Sequence, residues 1–334
     1  MYVRRAFSLA GENVVEESFE SRPLLDRDSL RTLQKRQNIS SAVHLTIQLA
    51  TFVLCLGLVV YASSFPLAAL LAAILLGAVW ATLFAPFHEC THQTAFRSRR
   101  LDAIGAWLTG IPFGMAPAVY RDFHFAHHRF THDPAKDPEI AGTPQLTNWP
   151  NTPRMWLYTI SGLWLLWLKV RGTFRLALSS TTQARLPPPF DDPELRSRFI
   201  WESRIVALVW TTLAILAMLG IRGAGWIIFA LVPCHAFQAI WLTTEHTGLP
   251  HDGTILTRTR TMHTSPFIAW WLWNMNYHAE HHAWPAVPWH ALPLLHERIA
   301  GHLEHEGWGY WHLQLEVLYQ NNLPDGCRPL HAEQ

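Results

Sequence analysis

The stretch that decides the fold is residues 43–86, VHLTIQLATFVLCLGLVVYASSFPLAALLAAILLGAVWATLFAP. It holds two apolar runs, residues 43–62 and 66–86, and an α-helix needs about 20 such residues to cross the hydrocarbon of a bilayer. Residues 63–65 leave room only for a tight turn between the runs. The pattern therefore predicts a helical hairpin that crosses a membrane and returns to the side it left.

A second pair of apolar runs lies at residues 205–221 and 225–242, interrupted around Arg222. Two further apolar stretches are ambiguous, because residues 101–120 contain several Gly and Pro and residues 155–168 are too few to span a bilayer. We expect both at the interface or in re-entrant segments. The sequence thus predicts an all-α integral membrane protein with four transmembrane helices in two hairpins.

The composition agrees with a membrane protein. Hydrophobic residues make up 49% of the chain and charged residues only 15%, against about 25% in an average soluble domain. The formal net charge is +1, and no block of like charge suggests a nucleic-acid partner. We divide the chain into an N-terminal cytosolic segment (1–42), a membrane domain (43–296) and a C-terminal cytosolic tail (297–334).

The positions of the 26 Lys and Arg residues predict the orientation in the membrane. With four crossings, nearly all of them fall on one side, apart from Arg222 on the other side and Arg204 at the entrance of a span. By the positive-inside rule the rich side faces the cytosol. We therefore expect the interfacial helices and a histidine-rich cap on the cytosolic side, in a bacterial cytoplasmic membrane, since no signal peptide or organelle signal is evident.

Twenty residues are histidine, and many of them fall in three spaced clusters just beyond the ends of apolar runs. The first cluster, HECTH at residues 88–92, places two imidazoles on one face of a helix. The second, HFAHH at 124–128, and the third, HAEHH at 278–282, both place three histidines at i, i+3 and i+4. A lone HxxxH pattern is weak evidence, but the repeated HxxHH spacing strongly indicates a shared function.

These clusters predict two metal ions. Neutral imidazole suits Fe, Cu, Zn and Ni, and about eight ligands are too many for one ion. Because the ligands are almost all nitrogen, we expect nearby carboxylates to orient imidazoles, although Asp137 and Glu139 could equally be solvated. The carboxylates in question are Glu89, Asp133, Asp137, Glu139 and Glu280.

At these residues the sequence resembles the membrane fatty acid desaturase superfamily, whose histidine boxes read HxxxH or HxxxxH, HxxHH, and HxxHH or QxxHH. The resemblance covers roughly residues 43–296 and includes the order of the boxes and the intervening hairpin. Members typically carry one more histidine ligand between the last span and the third box, and His246 occupies that position. The metal ligands implied by the resemblance are His88, His92, His124, His127, His128, His246, His278, His281 and His282.

The resemblance also implies a cofactor and partners. Members activate O2 at a di-iron centre and remove hydrogen from an unactivated C–H bond, so an apolar acyl-chain or lipid substrate is expected. Neither end shows an HPGG heme motif, and we therefore expect a separate electron donor of ferredoxin, rubredoxin or cytochrome b5 type. Some members use an Asn, through water, where this chain has Leu242, which leaves Asn274 or Asn276 as possible substitutes.

Three functions are consistent with this sequence. An acyl-lipid or acyl-thioester desaturase is favoured, because the third box and its Pro-rich continuation resemble those of such enzymes. A hydroxylase or ketolase of an apolar substrate such as a carotenoid is the alternative, since those enzymes also have HxxxH first boxes. A membrane metal transporter or heme protein is a minor alternative. The histidines of such proteins lie within the bilayer, whereas the clusters of this chain lie beyond the ends of its apolar runs.

The remaining histidines show no repeated ligand spacing. His132 continues the second box by one turn, and we expect it to support a ligand rather than bind metal. His235 lies inside the last apolar run, where it either bonds a neighbouring helix or lines a substrate tunnel. We expect the others to be surface or cap residues: His44, His251, His263, His290, His296, His302, His305, His312 and His331.

Overall fold

The computed structural model describes residues 24–180, 190 and 192–320. The predicted terminal segments therefore lie partly outside the described residues, and the division into three segments stays a prediction. The helices are α1 (Arg27–Leu33), α2 (Ile39–Ala62), α3 (Pro66–Thr82), α4 (Phe84–His92), α5 (Arg99–Phe113), α6 (Pro117–Phe130), α7 (Pro153–Ser161), α8 (Leu163–Ala177), α9 (Arg196–Met218), α10 (Ala224–Phe229), α11 (Leu231–His246), α12 (Pro266–Trp271), α13 (His278–Ala283), α14 (Leu292–Ile299) and α15 (Tyr310–Gln320). Two short strands are β1 (Thr261–His263) and β2 (Glu306–Trp308).

Within the described part of the chain, four helical segments are long and apolar enough to cross a membrane: Ile39–Ala62, Pro66–His92, Arg196–Met218 and Ala224–His246. This confirms the predicted all-α membrane fold with four spans. α5 and α6 together form a fifth candidate, bent by 95° at the break between them, as a broken span or a re-entrant loop would be. That bend agrees with the re-entrant character predicted from the Gly and Pro residues.

The span boundaries differ from the apolar runs. The second and fourth candidate spans continue past the predicted ends at residues 86 and 242, as far as His92 and His246. A helix does not end where polarity changes, because its hydrogen bonds run along the backbone and polar side chains can continue it. As a result, the first histidine box and His246 lie on the last turns of spanning segments instead of in loops.

The exposed apolar side chains of the spans are consistent with contact with lipid. The outward faces of α2, α3 and α9 carry large apolar side chains such as Leu54, Leu67 and Leu208, which are 72%, 71% and 67% exposed. Inside the bundle, α3 packs directly against α11, where a Cβ on Gly77 would lie 2.7 Å from Cγ of Pro233. Small residues allow this kind of close approach between membrane helices.

Residues 155–168, one of the two stretches expected at the interface or in a re-entrant segment, lie on two helices. α7 and α8 are separated by Gly162, whose φ of +64° suits glycine because it has no Cβ. Both helices expose large apolar side chains, among them Leu157 and Trp167, as an interfacial position requires.

The segment after α11, residues 247–320, forms what we call the cap. Its strands pair in parallel, with Met262 opposite Gly307. A small apolar core under α14 is built from Trp284, Leu292 and Leu295, and Leu33 of α1 packs into it. The cap carries α13, and thereby brings the third histidine box against the ends of the spans.

Candidate metal centre

The structure brings all nine predicted ligands together in two groups. In each group the candidate ligand atoms, one from each residue, lie within 4.8 Å of one another. The first histidine group is His88, His92, His124, His128 and His281. The second histidine group is His127, His246, His278 and His282.

Four helices supply these side chains. α4 supplies the first box and α6 the second, and their i, i+3 and i+4 spacing directs the rings to one side of each helix. α11 contributes its last residue, His246, and α13 supplies the third box from the cap. Each group therefore forms only when the cap is in place, because α13 contributes to both.

The ring nitrogens of the two groups converge. Nε2 of His128 lies 3.0 Å from Nε2 of His124 and 3.1 Å from Nε2 of His281. In the second group, Nε2 of His278 lies 2.9 Å from Nε2 of His246. The His128 ring also stacks on the His282 ring at 4.1 Å between centroids, so it contacts both groups.

The buried ring nitrogens that lack a hydrogen-bond partner indicate whether metal ions fit this site. Several are buried without a hydrogen-bond partner among the described residues, including both nitrogens of His88, Nε2 of His92 and Nε2 of His282. Buried polar atoms are normally paired, and a metal ion is a partner that converging imidazoles can share. Burial, with the nearby His127, lowers the pKa of His281 to about 3, which keeps its imidazole in the neutral form that binds metal. The residues therefore fit metal ions.

Asp137 orients a histidine of the second group. Its carboxylate oxygens lie 2.9 and 3.0 Å from Nδ1 of His127, and Glu139 lies 3.3 Å from the same nitrogen. Although burial alone would raise the pKa of Asp137, His127 and the backbone N–H groups of Glu139 and His132 lower it. The side chain is fully buried. The expectation that a carboxylate orients an imidazole is confirmed here, and the solvated alternative for Asp137 is wrong.

Three other carboxylates do not orient box imidazoles. Glu89 accepts from Thr94 and from the backbone N–H of Trp289. Glu280, inside the third box, instead binds Thr261 and His296, each at 2.5 Å, and so fixes α13 within the cap. Asp133 accepts from the backbone of its own turn, at Ala135 and Lys136.

Three contacts to ligand candidates were not predicted from the sequence. Glu245 lies 3.3 Å from Nδ1 of His278, Thr131 lies 3.2 Å from Nδ1 of His282, and Nδ1 of His246 donates to the carbonyl oxygen of Arg258 at 2.8 Å. The position of Glu245 next to His246 was the only sequence signal that this carboxylate lies near the metal ligands. Glu245 actually contacts His278, which is on a different helix, and no local spacing indicates that contact.

Histidines outside the boxes take other roles. His132 belongs to neither group, and its Nδ1 lies 2.9 Å from the carbonyl oxygen of Pro250. His235 pairs with Leu231 on its own helix, not with a neighbouring one. The expectation that His44 is a surface or cap residue is wrong, because it lies within α2, is 3% exposed and stacks on Trp270 at 3.9 Å.

The two asparagines considered as ligand substitutes are engaged elsewhere. Nδ2 of Asn274 donates to the carbonyl oxygen of Trp289, and Nδ2 of Asn276 donates to that of Met262, both at 3.1 Å. Neither side chain has a hydrogen bond to a box histidine among the described contacts. The structure gives no support for either as a ligand.

We expect Asp137→Asn to weaken metal retention by roughly 10- to 100-fold, the usual effect of removing a carboxylate that orients a metal-binding imidazole. The amide keeps the shape but removes the negative charge beside His127. Metal content per chain after dialysis against a graded chelator series measures the effect. Asp133→Asn is the matched control, because Asn can also accept from the turn. Equal retention in both variants would contradict the role given to Asp137.

Fold and site together define a membrane-embedded protein with a buried centre of nine histidines at the ends of its spans. The family model for fatty acid desaturase matches residues 64–314, and the chain belongs to this family. The resemblance seen in the histidine boxes is thereby confirmed.

The curated relatives share low sequence identity with this chain. The chain is 23% identical to the sphingolipid delta(4)-desaturase/C4-monooxygenase of Homo sapiens over 233 residues, which cover 69% of this chain and 65% of the relative. It is 23% identical to a delta(5) fatty acid desaturase of Caenorhabditis elegans, in an alignment that covers 68% of this chain and 57% of the relative. The chain thus spans less than two thirds of the length of these relatives.

Proposed function

We propose that this protein is an O2-dependent di-iron desaturase that introduces a double bond into a fatty acyl chain held in a lipid or a thioester. The convergence of nine histidines into two groups carries the proposal. Membership of the desaturase family supports it. The nine histidines that meet in the structure are also the nine residues that match the family's ligand pattern.

The two histidine groups and the carboxylates beside them would have separate roles. The first histidine group would hold one iron and the second group the other, all through neutral imidazole nitrogens. Asp137 and Glu139 would hold the His127 ring in place, and Glu245 would do so for His278. Bound iron would supply the O2 activation and C–H cleavage that side chains alone lack. Burial of both groups would exclude water from the bound irons and so limit side reactions.

Electrons for the reaction would come from a separate donor of ferredoxin, rubredoxin or cytochrome b5 type. The positive-inside rule supports a site that faces the cytosol, where such donors are found. A bacterial cytoplasmic membrane remains our expectation for location, whereas the curated relatives come from animals. Transport of metal or binding of heme is disfavoured, because the ring nitrogens converge in two sets of five and four instead of facing a heme or lining a path.

Hydroxylation is the second candidate, and a specific observation favours it. The human relative is named both a desaturase and a monooxygenase, so one protein with this type of sequence carries both activities in its name. Both outcomes begin with removal of one hydrogen. They differ in whether a second hydrogen is removed or oxygen enters the product.

Product analysis under ¹⁸O2 separates the two candidates. Membranes containing the protein, supplied with reductant and a donor, are given an amide-linked sphingoid lipid, a phospholipid and an acyl thioester in turn. We expect one substrate to lose two mass units by gaining a double bond, with no ¹⁸O in the lipid product. Incorporation of ¹⁸O into the lipid would establish the hydroxylase, and absence of either product from all three substrates would contradict both proposals.

A further inference from the structure

A cavity of about 320 Å³ lies between α12 and the turn that leads into α13. Its walls combine aromatic rings, those of Trp270, Trp289 and Tyr277, with neutral amide side chains. This mixture is typical of sites that bind a small polar group next to an apolar chain.

Asn276 lines this cavity and carries an unpaired, buried acceptor atom. Its side chain is only 3% exposed, and Nδ2 is occupied by the carbonyl oxygen of Met262. Oδ1 has no hydrogen-bond partner among the described residues. A buried carbonyl oxygen without a donor is unfavourable, so a ligand that brings an O–H or N–H group would complete it.

The turn that presents Asn276 is strained. Trp273 and Asn274 are consecutive non-glycine residues with φ of +50° and +56°, a conformation that L residues rarely adopt. The amide of Asn274 holds the turn against Trp289. Strain of this kind persists where the surrounding contacts enforce it, and it is concentrated at functional sites.

The cavity lies beside both the interface and the histidines. α12 exposes Phe267 and Ile268, which are 72% and 40% accessible, as expected of a short helix resting among lipid head groups. On the other side, Asn276 precedes His278 by two residues, a reach of at most about 7 Å along the backbone. The turn that lines the cavity is thus joined through the backbone to a member of the second histidine group.

The charge of the lining restricts the ligand. Among the described residues that line the cavity there is no Lys or Arg. The imidazole of His263, which also lines the cavity, is engaged with Glu306 at 2.5 Å and stacked on Trp308. The site thus lacks the fixed positive charge that phosphate recognition normally uses.

We propose that this cavity binds the polar end of the substrate, and that this end is an uncharged group carrying hydroxyl or amide N–H donors. The proposal rests on the proposed function and deepens it. It selects amide- or hydroxyl-bearing lipids over phosphorylated thioesters, and it places the oxidised carbons close to the head group.

The test is a binding measurement on the iron-loaded protein in detergent, without reductant. The probe is radiolabelled N-hexanoyl-dihydrosphingosine, and hexadecanoyl-coenzyme A is the competitor. Ala269→Trp adds bulk at a residue that lines the cavity, and Ile268→Trp adds it at the adjacent, more exposed position on α12. We expect Ala269→Trp to raise the Kd for the probe at least tenfold, and Ile268→Trp to leave it unchanged.

A second variant addresses the acceptor itself. Asn276→Ala removes Oδ1 and is expected to raise the Kd about tenfold, with iron content showing that the centre is intact. If that variant does not fold, Ala269→Trp still decides, because α12 lies at the surface. Equal weakening by the two α12 variants, or competition by the coenzyme A thioester at lower concentration than the probe, would overturn the proposal.

The outcomes also separate this proposal from the proposed function. Binding at the cavity without oxidation of any lipid would contradict the desaturase and leave the head-group site standing. Conversely, desaturation that is unaffected by Ala269→Trp would contradict the head-group site and leave the desaturase standing.

Discussion

His128→Ala is expected to abolish lipid oxidation. The loss should be at least about 100-fold, because changing a group that only supports a metal ligand already costs up to about that much. His128 approaches two members of the first histidine group through Nε2 and stacks on His282 of the second. Its removal therefore disturbs both groups at once. Elemental analysis of the purified variant is expected to find clearly less iron per chain than in the unmodified protein.

The matched control is His312→Ala. His312 has a 65% exposed side chain on α15, and its Nε2 lies 3.3 Å from the carboxylate of Glu316 on the same helix. We expect this variant to keep its activity and its metal content. Full iron content together with near-normal turnover in His128→Ala would remove the ligand assignment.

Gly162→Ala is expected to destabilise the membrane domain by more than about 3 kcal/mol, through strain in the backbone and overpacking. A Cβ at this position would lie 1.9 Å from the carbonyl oxygen of His235, and the φ of +64° is unfavourable for alanine. The turn between α7 and α8 would have to move away from α11. The temperature at which the detergent-solubilised protein loses its monodisperse peak in size-exclusion chromatography measures the effect.

Gly172→Ala is the control for that measurement. Gly172 lies within α8, and a Cβ there would meet nothing within 4 Å. Alanine is the better helix former by up to about 1 kcal/mol, so this variant should be as stable as the unmodified protein or slightly more stable. Similar losses in the two variants would show that the close approach to His235 is not the cause.

Much of the fold and of the centre could be predicted because the signals are local. Length and polarity indicate a span, and the repeated spacing of HxxHH places three imidazoles on one helical face. The helix ends were harder to predict from the sequence, since α4 and α11 continue through polar residues as far as His92 and His246.

What the sequence did not reveal depends on contacts between distant segments. His44 looks like a polar residue at the start of a span, yet Trp270, far along the chain, covers it. The contact of Glu245 with His278 joins a span to the cap and leaves no trace in the spacing of either segment. Such pairs are set by how the helices pack, which local periodicity does not encode.

The carboxylates that contact box histidines are placed unevenly. Asp137, Glu139 and Glu245 all contact members of the second histidine group, at His127 and His278. A carboxylate beside the outer nitrogen makes an imidazole a stronger electron donor. Two ions held here would therefore differ in electron density, and the more oxidised state would be favoured at the second group. The protein would therefore make the two candidate metal sites electronically unequal before any ligand binds.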